Sequence, residues 1–270
     1  MKTCLKNMLA VCFLILFLPY TITLLVSGRE GIHQDKALSE LEYQTLSALL
    51  KEDFSWMDDE TLALMAVIFR TECMQTENEQ VIGGSQGEAT EDSDYERFYQ
   101  AVAETAGQVV TVEGEYRELP WHALSAGQTR DGTLLGEKYS YIKSVECPLD
   151  IRADGALQSF RLSEAEFAEA LGTDAAPEEL ETTRDGADYV ISASAGAMVW
   201  QGEELRGLLH LSSSCFWLDC QDSQIHLTVK GSGHGFGISL YTADCMAREG
   251  STCEEILQTF YEGAECITEP

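Results

Sequence analysis

Basic residues are scarce. The 270-residue chain carries 17 Lys and Arg against 46 Asp and Glu, a formal net charge of −29 with histidine neutral. A surface this acidic excludes nucleic acid as a partner, because affinity for a polyanion comes from neutralising its phosphates. It also opposes tight adsorption to anionic lipid, and is compatible with a neutral or cationic polymer or a basic protein. The C-x-x-C motif is missing although there are nine cysteines. His210 and His226 flank Cys215 and Cys220 at separations unlike the usual zinc patterns. Cys4 and Cys12 lie in or near the N-terminal apolar segment. The other seven, Cys73, Cys147, Cys215, Cys220, Cys245, Cys253 and Cys266, are read as buried structural thiols, with one or two disulfides open as the alternative. An odd number requires at least one free thiol or an intermolecular bond. No internal repeat is present.

What is present begins with an apolar N-terminus. The first 28 residues hold Lys2 and Lys6, no acidic residue, and an apolar run of 19 residues at positions 8–26. That length is at the lower edge of a bilayer-spanning helix. No small-x-small cleavage site follows it, so an uncleaved signal anchor is expected. The two lysines place the N-terminus inside and the rest outside the cytoplasm. Residues 29–36 read as a tether and 37–270 as one domain of about 240 residues, enough for a sizeable core.

Apolar spacing predicts helices over 37–50 and 60–74, the second capped by Asp58 or Asp59 and apolar nearly all round, hence central. A long loop is expected over 75–93, then a helix over 95–105 and strands over 108–113, 116–124 and 139–145. Ser163-x-x-Glu166 and Thr252-x-x-Glu255 are capping boxes that open helices. Strands are expected over 189–194, 197–201, 213–218 and 225–230, with a short helix between 201 and 213 and another over 239–249. Helices at both ends of the domain around a central, mainly antiparallel β region make an α+β fold.

Between the last strand and helix lie Gly231, Gly233, Gly235 and Gly237, with His234 among them. A G-x-G-x-x-G fingerprint fails here: Phe236 or Ile238 falls where a small residue is needed, and no βαβ unit surrounds the turn. The residues alone leave open a ligand-holding turn or a tight turn whose His234 bonds backbone.

The run Gly233-His234-Gly235-Phe236-Gly237-Ile238-Ser239, then Met246-Ala247, Gly250, Glu255-Ile256-Leu257, Phe260-Tyr261 and Gly263, resembles the closing segment of the stage II sporulation protein D family, which includes amidase-enhancer proteins. Five further blocks follow the family's order. They are Leu49-Leu50-Lys51-Glu52 with Glu60-Thr61-Leu62 and Ala66–Thr71; Gln80-x-Ile82-Gly83; Trp121-His122-x-x-Ser125-x-Gly127-x-Thr129; Tyr141-Ile142-Lys143-Ser144-Val145 with Pro148-x-Asp150; and Leu205-Arg206 with Ser213-Ser214. Asp53-Phe54 replace the family's Met-Pro, and Leu240, Thr242 and Cys245 replace Gln, Gly and Gly.

The resemblance implies a lytic transglycosylase acting on peptidoglycan glycan strands, preferably peptide-stripped, with a glycan-binding groove and no cofactor. Some members bind zinc near the Tyr-His block; Ser125 and Ala126 stand there in this chain, and no metal is expected. Glu52 matches the catalytic glutamate. Arg70 either orients that carboxylate or a sugar acetamide, or pairs with an acid. His122 and Ser125 are expected to line the groove, Lys143 to stabilise the leaving sugar, and Ser213 and Ser214 to bond glycan hydroxyls. Gly233, His234, Gly235 and Ser239 are expected to form a groove wall, their backbone amides meeting the polymer. Trp56, Trp121 and Trp217 are stacking candidates left outside the site. Implied partners are the glycan strand and stage II sporulation proteins P and M at the septal or engulfing membrane. The rival reading is a non-catalytic wall-binding enhancer of an N-acetylmuramoyl-L-alanine amidase.

Overall fold

A computed structural model describes residues 38–76, 92–172, 179–221 and 224–269. The apolar run 8–26, the tether, most of the expected 75–93 loop and the Gln80 block lie outside the described residues. No helix among those described is long and apolar enough to cross a membrane.

Among the described residues, seven α-helices and ten strands give an α+β fold. Helix α1 (Glu40–Leu49) leads through a turn to α2 (Asp59–Thr76), and α3 (Asp92–Glu104) precedes β1 (Gln108–Val112). The Asp58 carboxylate accepts from Glu60 N at 3.2 Å, starting α2 as its sequence implies. Eighteen residues without Gly or Pro then sustain the helix. Leu62, Leu64, Met65, Ala66, Val67 and Ile68 have no exposed surface. At roughly 1.5–3 kcal/mol for each large apolar side chain buried, this helix carries much of the hydrophobic stabilisation. It is enclosed by α1, α3, β1 and two helices from the far end of the chain, α6 (Leu240–Arg248) and α7 (Cys253–Phe260). The helices of the two chain ends thus form one layer. β10 (Ala264–Thr268) completes it by pairing antiparallel with β1, Val110 opposite Cys266.

A second core is built on a three-stranded antiparallel sheet of β3 (Leu157–Ser163), β8 (Gln224–Lys230) and β7 (Phe216–Gln221). Ile225, Leu227 and Val229 alternate inward on β8 and meet Phe167 and Leu171 of α4 (Glu164–Leu171). The Ser163–Glu166 capping box opens α4 and a left-handed Gly172 closes it. A smaller antiparallel sheet, β4 (Glu181–Arg184), β5 (Val190–Ala195) and β6 (Met198–Gln201), feeds α5 (Gly202–Leu208), which seals the same core with Leu205. β2 (Trp121–His122) and β9 (Ile238–Ser239) form a two-residue parallel pair.

Several expectations are corrected. The strand expected over 116–124 shrinks to β2. The one over 139–145 is no strand: residues 137–139 form a 3₁₀ turn, and Ile142 makes an isolated bridge to Tyr261. Tyr139 and Tyr141 imitate strand alternation because their hydroxyls both reach Glu118, one its carboxylate and one its carbonyl. β3, β4 and β10 lie outside the strands that the sequence predicts. Among the described residues Cys147, Cys215, Cys245, Cys253 and Cys266 are free thiols, and of these only Cys147 and Cys215 are buried.

Arg70 is the largest fully buried side chain. Its guanidinium meets the Glu42 carboxylate at 2.5 Å and donates to Thr105 Oγ1, Val102 O and Gln108 O. It pins α1, α3 and the start of β1 to α2, so of the two roles open to it the structure shows the pairing with an acid. Replacing it alone strands a buried carboxylate. Arg70→Met is expected to lower unfolding stability in urea by roughly 3–5 kcal/mol, and Arg70→Met with Glu42→Leu to recover most of that loss.

Candidate functional site

The glycine turn connects β8 to β9 and is stitched into the protein along its length. Ser232 and Leu124 exchange both backbone hydrogen bonds, Gly233 N donates to Ser212 O, and Ile238 N donates to Pro120 O. Phe236 N donates to His234 Nδ1 at 3.1 Å. The glycines serve this packing. A Cβ on Gly233 would stand 2.5 Å from His122 Cβ, and one on Gly235 would stand 2.5 Å from the Tyr189 ring, both at positive φ. The expectation that the Gly233 amide faces a polymer is therefore corrected: it is taken by Ser212 O.

His122 is buried, and its Nδ1 lies 3.1 Å from Phe236 O. A carbonyl only accepts, so Nδ1 carries the proton. Burial, followed by the nearby His234, pushes its pKa down to about 3, leaving the ring neutral. Its Nε2 is buried without a hydrogen-bond partner among the described residues. His234 is half-buried, 5.7 Å ring to ring from His122, and burial lowers its pKa as well. Outside the turn, Arg130 donates to Asp185 at 2.6 Å and to His234 O, and stacks 4.4 Å over Phe236.

Two buried carboxylates organise the surroundings. Asp150 accepts from Ser125 N at 2.8 Å, Ser239 Oγ at 2.5 Å and Thr242 Oγ1 at 2.6 Å. Asp244 accepts from Asp58 N at 2.6 Å and Thr61 Oγ1 at 3.1 Å, and pairs with Arg248 at 2.7 Å. The latter joins the turn before α2 to α6.

Between these anchors runs a groove of about 510 Å³ lined by Trp56, Ala123, Leu124, Arg152, Ala153, Asp154 and Tyr241. Trp56 is 41% exposed. Its indole N–H donates to Asp53 O at 2.9 Å, and Arg248 donates to its carbonyl. The turn after α1, the stretch just after His122 and the first turn of α6 therefore meet at one surface.

The expected site residues themselves are not on that lining. Glu52 is exposed on the turn after α1, its N–H bonded to Leu49 O and its carbonyl to Phe54 N. Buried Phe54, edge-on to Phe69 and Trp121, anchors this turn. Ser125, Ser213, Ser214 and Ser239 are completely buried. Ser125 Oγ accepts from Gly127 N, Ser213 Oγ from Cys215 N, and Ser214 Oγ donates to Glu203. Lys143 is ion-paired with Glu262. Trp217 lies beneath Arg184 and Lys230. Asp150, quoted in a matched block, was not singled out, and Trp56 was set aside because most tryptophans are core; its position four residues after Glu52 was the available signal.

No family model matches the chain. It is 30% identical over 181 residues to stage II sporulation protein D of Bacillus amyloliquefaciens, covering 64% of this chain and 53% of that protein. It is 29% identical over 169 residues to stage II sporulation protein D of Bacillus subtilis (strain 168), covering 61% and 49%. The chain spans about half the length of these curated relatives.

One carboxyl that sequence reading passed over is tuned. Glu72 sits half-buried on α2, near Tyr261, whose hydroxyl donates to Pro120 O just before β2. Burial raises its pKa from 4.5 to about 7. The folded chain thus holds the Glu72 proton more tightly than the unfolded one, so this group's contribution to stability falls as pH rises from about 4.5 and levels off above about 7. Glu72→Gln is expected to be more stable than wild type at pH 8, by on the order of 3 kcal/mol, with the difference shrinking toward pH 5. Paired urea melts across that range check it.

Proposed function

We propose, from its similarity to stage II sporulation protein D, that this chain is a membrane-anchored lytic transglycosylase that cleaves peptidoglycan glycan strands during sporulation. The observation that carries the reading is the groove. Its walls come from the turn after α1 through Trp56, the stretch after His122, residues 152–154, and Tyr241 in the first turn of α6, and two aromatic faces in an open groove suit the apolar faces of sugar rings.

In the proposed reaction the Glu52 carboxyl donates its proton to the glycosidic oxygen between N-acetylmuramic acid and N-acetylglucosamine. The C1–O bond breaks with oxocarbenium character. The Glu52 carboxylate then takes the proton from the muramyl C6 hydroxyl, whose oxygen closes on C1 to form the 1,6-anhydro ring. The acid is regenerated, and no second carboxylate is required, unlike in hydrolysis. Glu52 is exposed, so the strand laid across the turn is what excludes water from it. Arg70, Ser125, Ser213, Ser214 and Ser239 hold the frame. His122 and His234 back the turn as neutral rings. The N-terminal apolar run is the anchor, and stage II sporulation proteins P and M are partners in this reading.

The same exposure of Glu52 favours a second reading: a non-catalytic wall-binding protein that enhances an N-acetylmuramoyl-L-alanine amidase.

Mass spectrometry of peptide-stripped strands incubated with the full chain separates them. Wild type is expected to yield anhydro-muramyl ends. Glu52→Gln is expected to yield none while still binding strands, and Trp56→Ala to bind about tenfold more weakly, in line with ~1.5 kcal/mol for a stacking contact. Reducing ends would mean hydrolysis, and binding without product would mean the enhancer.

A further inference from the structure

Every described arginine and lysine other than Lys51, Arg152 and Arg161 is held by a carboxylate or an aromatic ring of its own chain. Of these exceptions, Arg152 alone lines the groove. Its side chain is exposed and makes no hydrogen bond or ion pair among the described residues. In a chain with 46 acidic residues against 17 basic ones, a cation left uncommitted in the groove is set apart from the rest.

The backbone fixes where that cation stands. Asp150 and Arg152 are the two ends of one 3₁₀ turn. The Asp150 end is buried and tied down by Ser125 N, Ser239 Oγ and Thr242 Oγ1. Arg152 N donates to Leu149 O at 3.0 Å and Ala153 N to Asp150 O at 3.1 Å, closing the turn. One end is thus anchored inside, and the other presents the guanidinium on the same lining as Trp56 and Tyr241. On the reading that a glycan strand occupies this groove, we propose that Arg152 is a specificity residue that pairs with the free lactyl carboxylate of N-acetylmuramic acid.

Sugar hydroxyls and acetamides are neutral. The lactyl carboxylate is the charged group of a peptide-free strand, and attachment of a stem peptide converts it into an amide. A guanidinium presents parallel N–H donors that match a carboxylate in shape and charge, which an amide does not. Elsewhere in the groove an anion is repelled by Asp154 and by a chain of net charge −29. A preference for stripped strands then arises from recognition of a charge rather than from the bulk of a peptide.

The experiment titrates the full chain, by calorimetry, with two peptide-stripped strands. One has free lactyl carboxylates; in the other they are converted into primary amides, which removes the charge and adds almost no bulk. Wild type is expected to bind the acid form about fivefold more tightly, the upper end for an exposed ion pair. Arg152→Gln is expected to bind both forms as wild type binds the amide. Arg161→Gln removes the same charge away from the groove and is expected to keep the fivefold preference. Neither side chain holds another residue, and circular dichroism matching wild type checks that both variants are folded. A preference retained by Arg152→Gln, a preference lost equally in Arg161→Gln, or a wild type that binds both forms alike overturns the assignment of Arg152 and leaves glycan binding in place. A wild type that binds neither form overturns glycan occupancy of the groove, and the assignment with it. Binding alone is read, so the result does not depend on cleavage by Glu52.

Discussion

A buried carboxylate holds the surface of this protein together. Asp150 has no exposed area, so its charge is tolerable only because a backbone amide and two hydroxyls point at it. Those donors come from three places: the loop after β2, the β9–α6 junction, and α6 itself. Every groove wall except one lies within four residues of this cluster, since Ala123 and Leu124 precede Ser125, Arg152 to Asp154 follow Asp150, and Tyr241 lies between Ser239 and Thr242. The remaining wall, Trp56, is held by the second carboxylate, Asp244, through Asp58. The groove is the outer surface of two inward-facing acids.

Local and long-range rules divide what sequence alone discloses here. Asp58 as a cap, both capping boxes, the all-round apolar α2 and the alternation of β8 depend on neighbours a few residues away, and they stand where the sequence places them. The order of matched blocks, too, is a property of the chain. Which way a polar side chain turns is not. Ser213, Ser214 and Ser239 have the residue type of sugar-binding groups, yet amide and carboxylate partners inside the protein take their hydrogen bonds.

The glycine turn shows the same limit. Alternate glycines declare that something comes close to the backbone, and they do not say what. The close neighbours are His122 and Tyr189, from 111 residues earlier and 46 residues earlier than Gly233 and Gly235 respectively. Arg70 likewise has the chemistry of a ligand-orienting group, and its surroundings from α1 and α3 make it a core strut.

The separations in these contacts also set the order in which the molecule can become whole. Asp58 meets Asp244 across 186 positions and Trp56 meets Arg248 across 192, while Pro120 meets Tyr261 across 141. The contacts within α1 and α2 are local in sequence, but the groove has no fourth wall until α6 has been synthesised and has docked. A growing chain therefore carries Trp56 without the complete groove until α6 has been made and has docked.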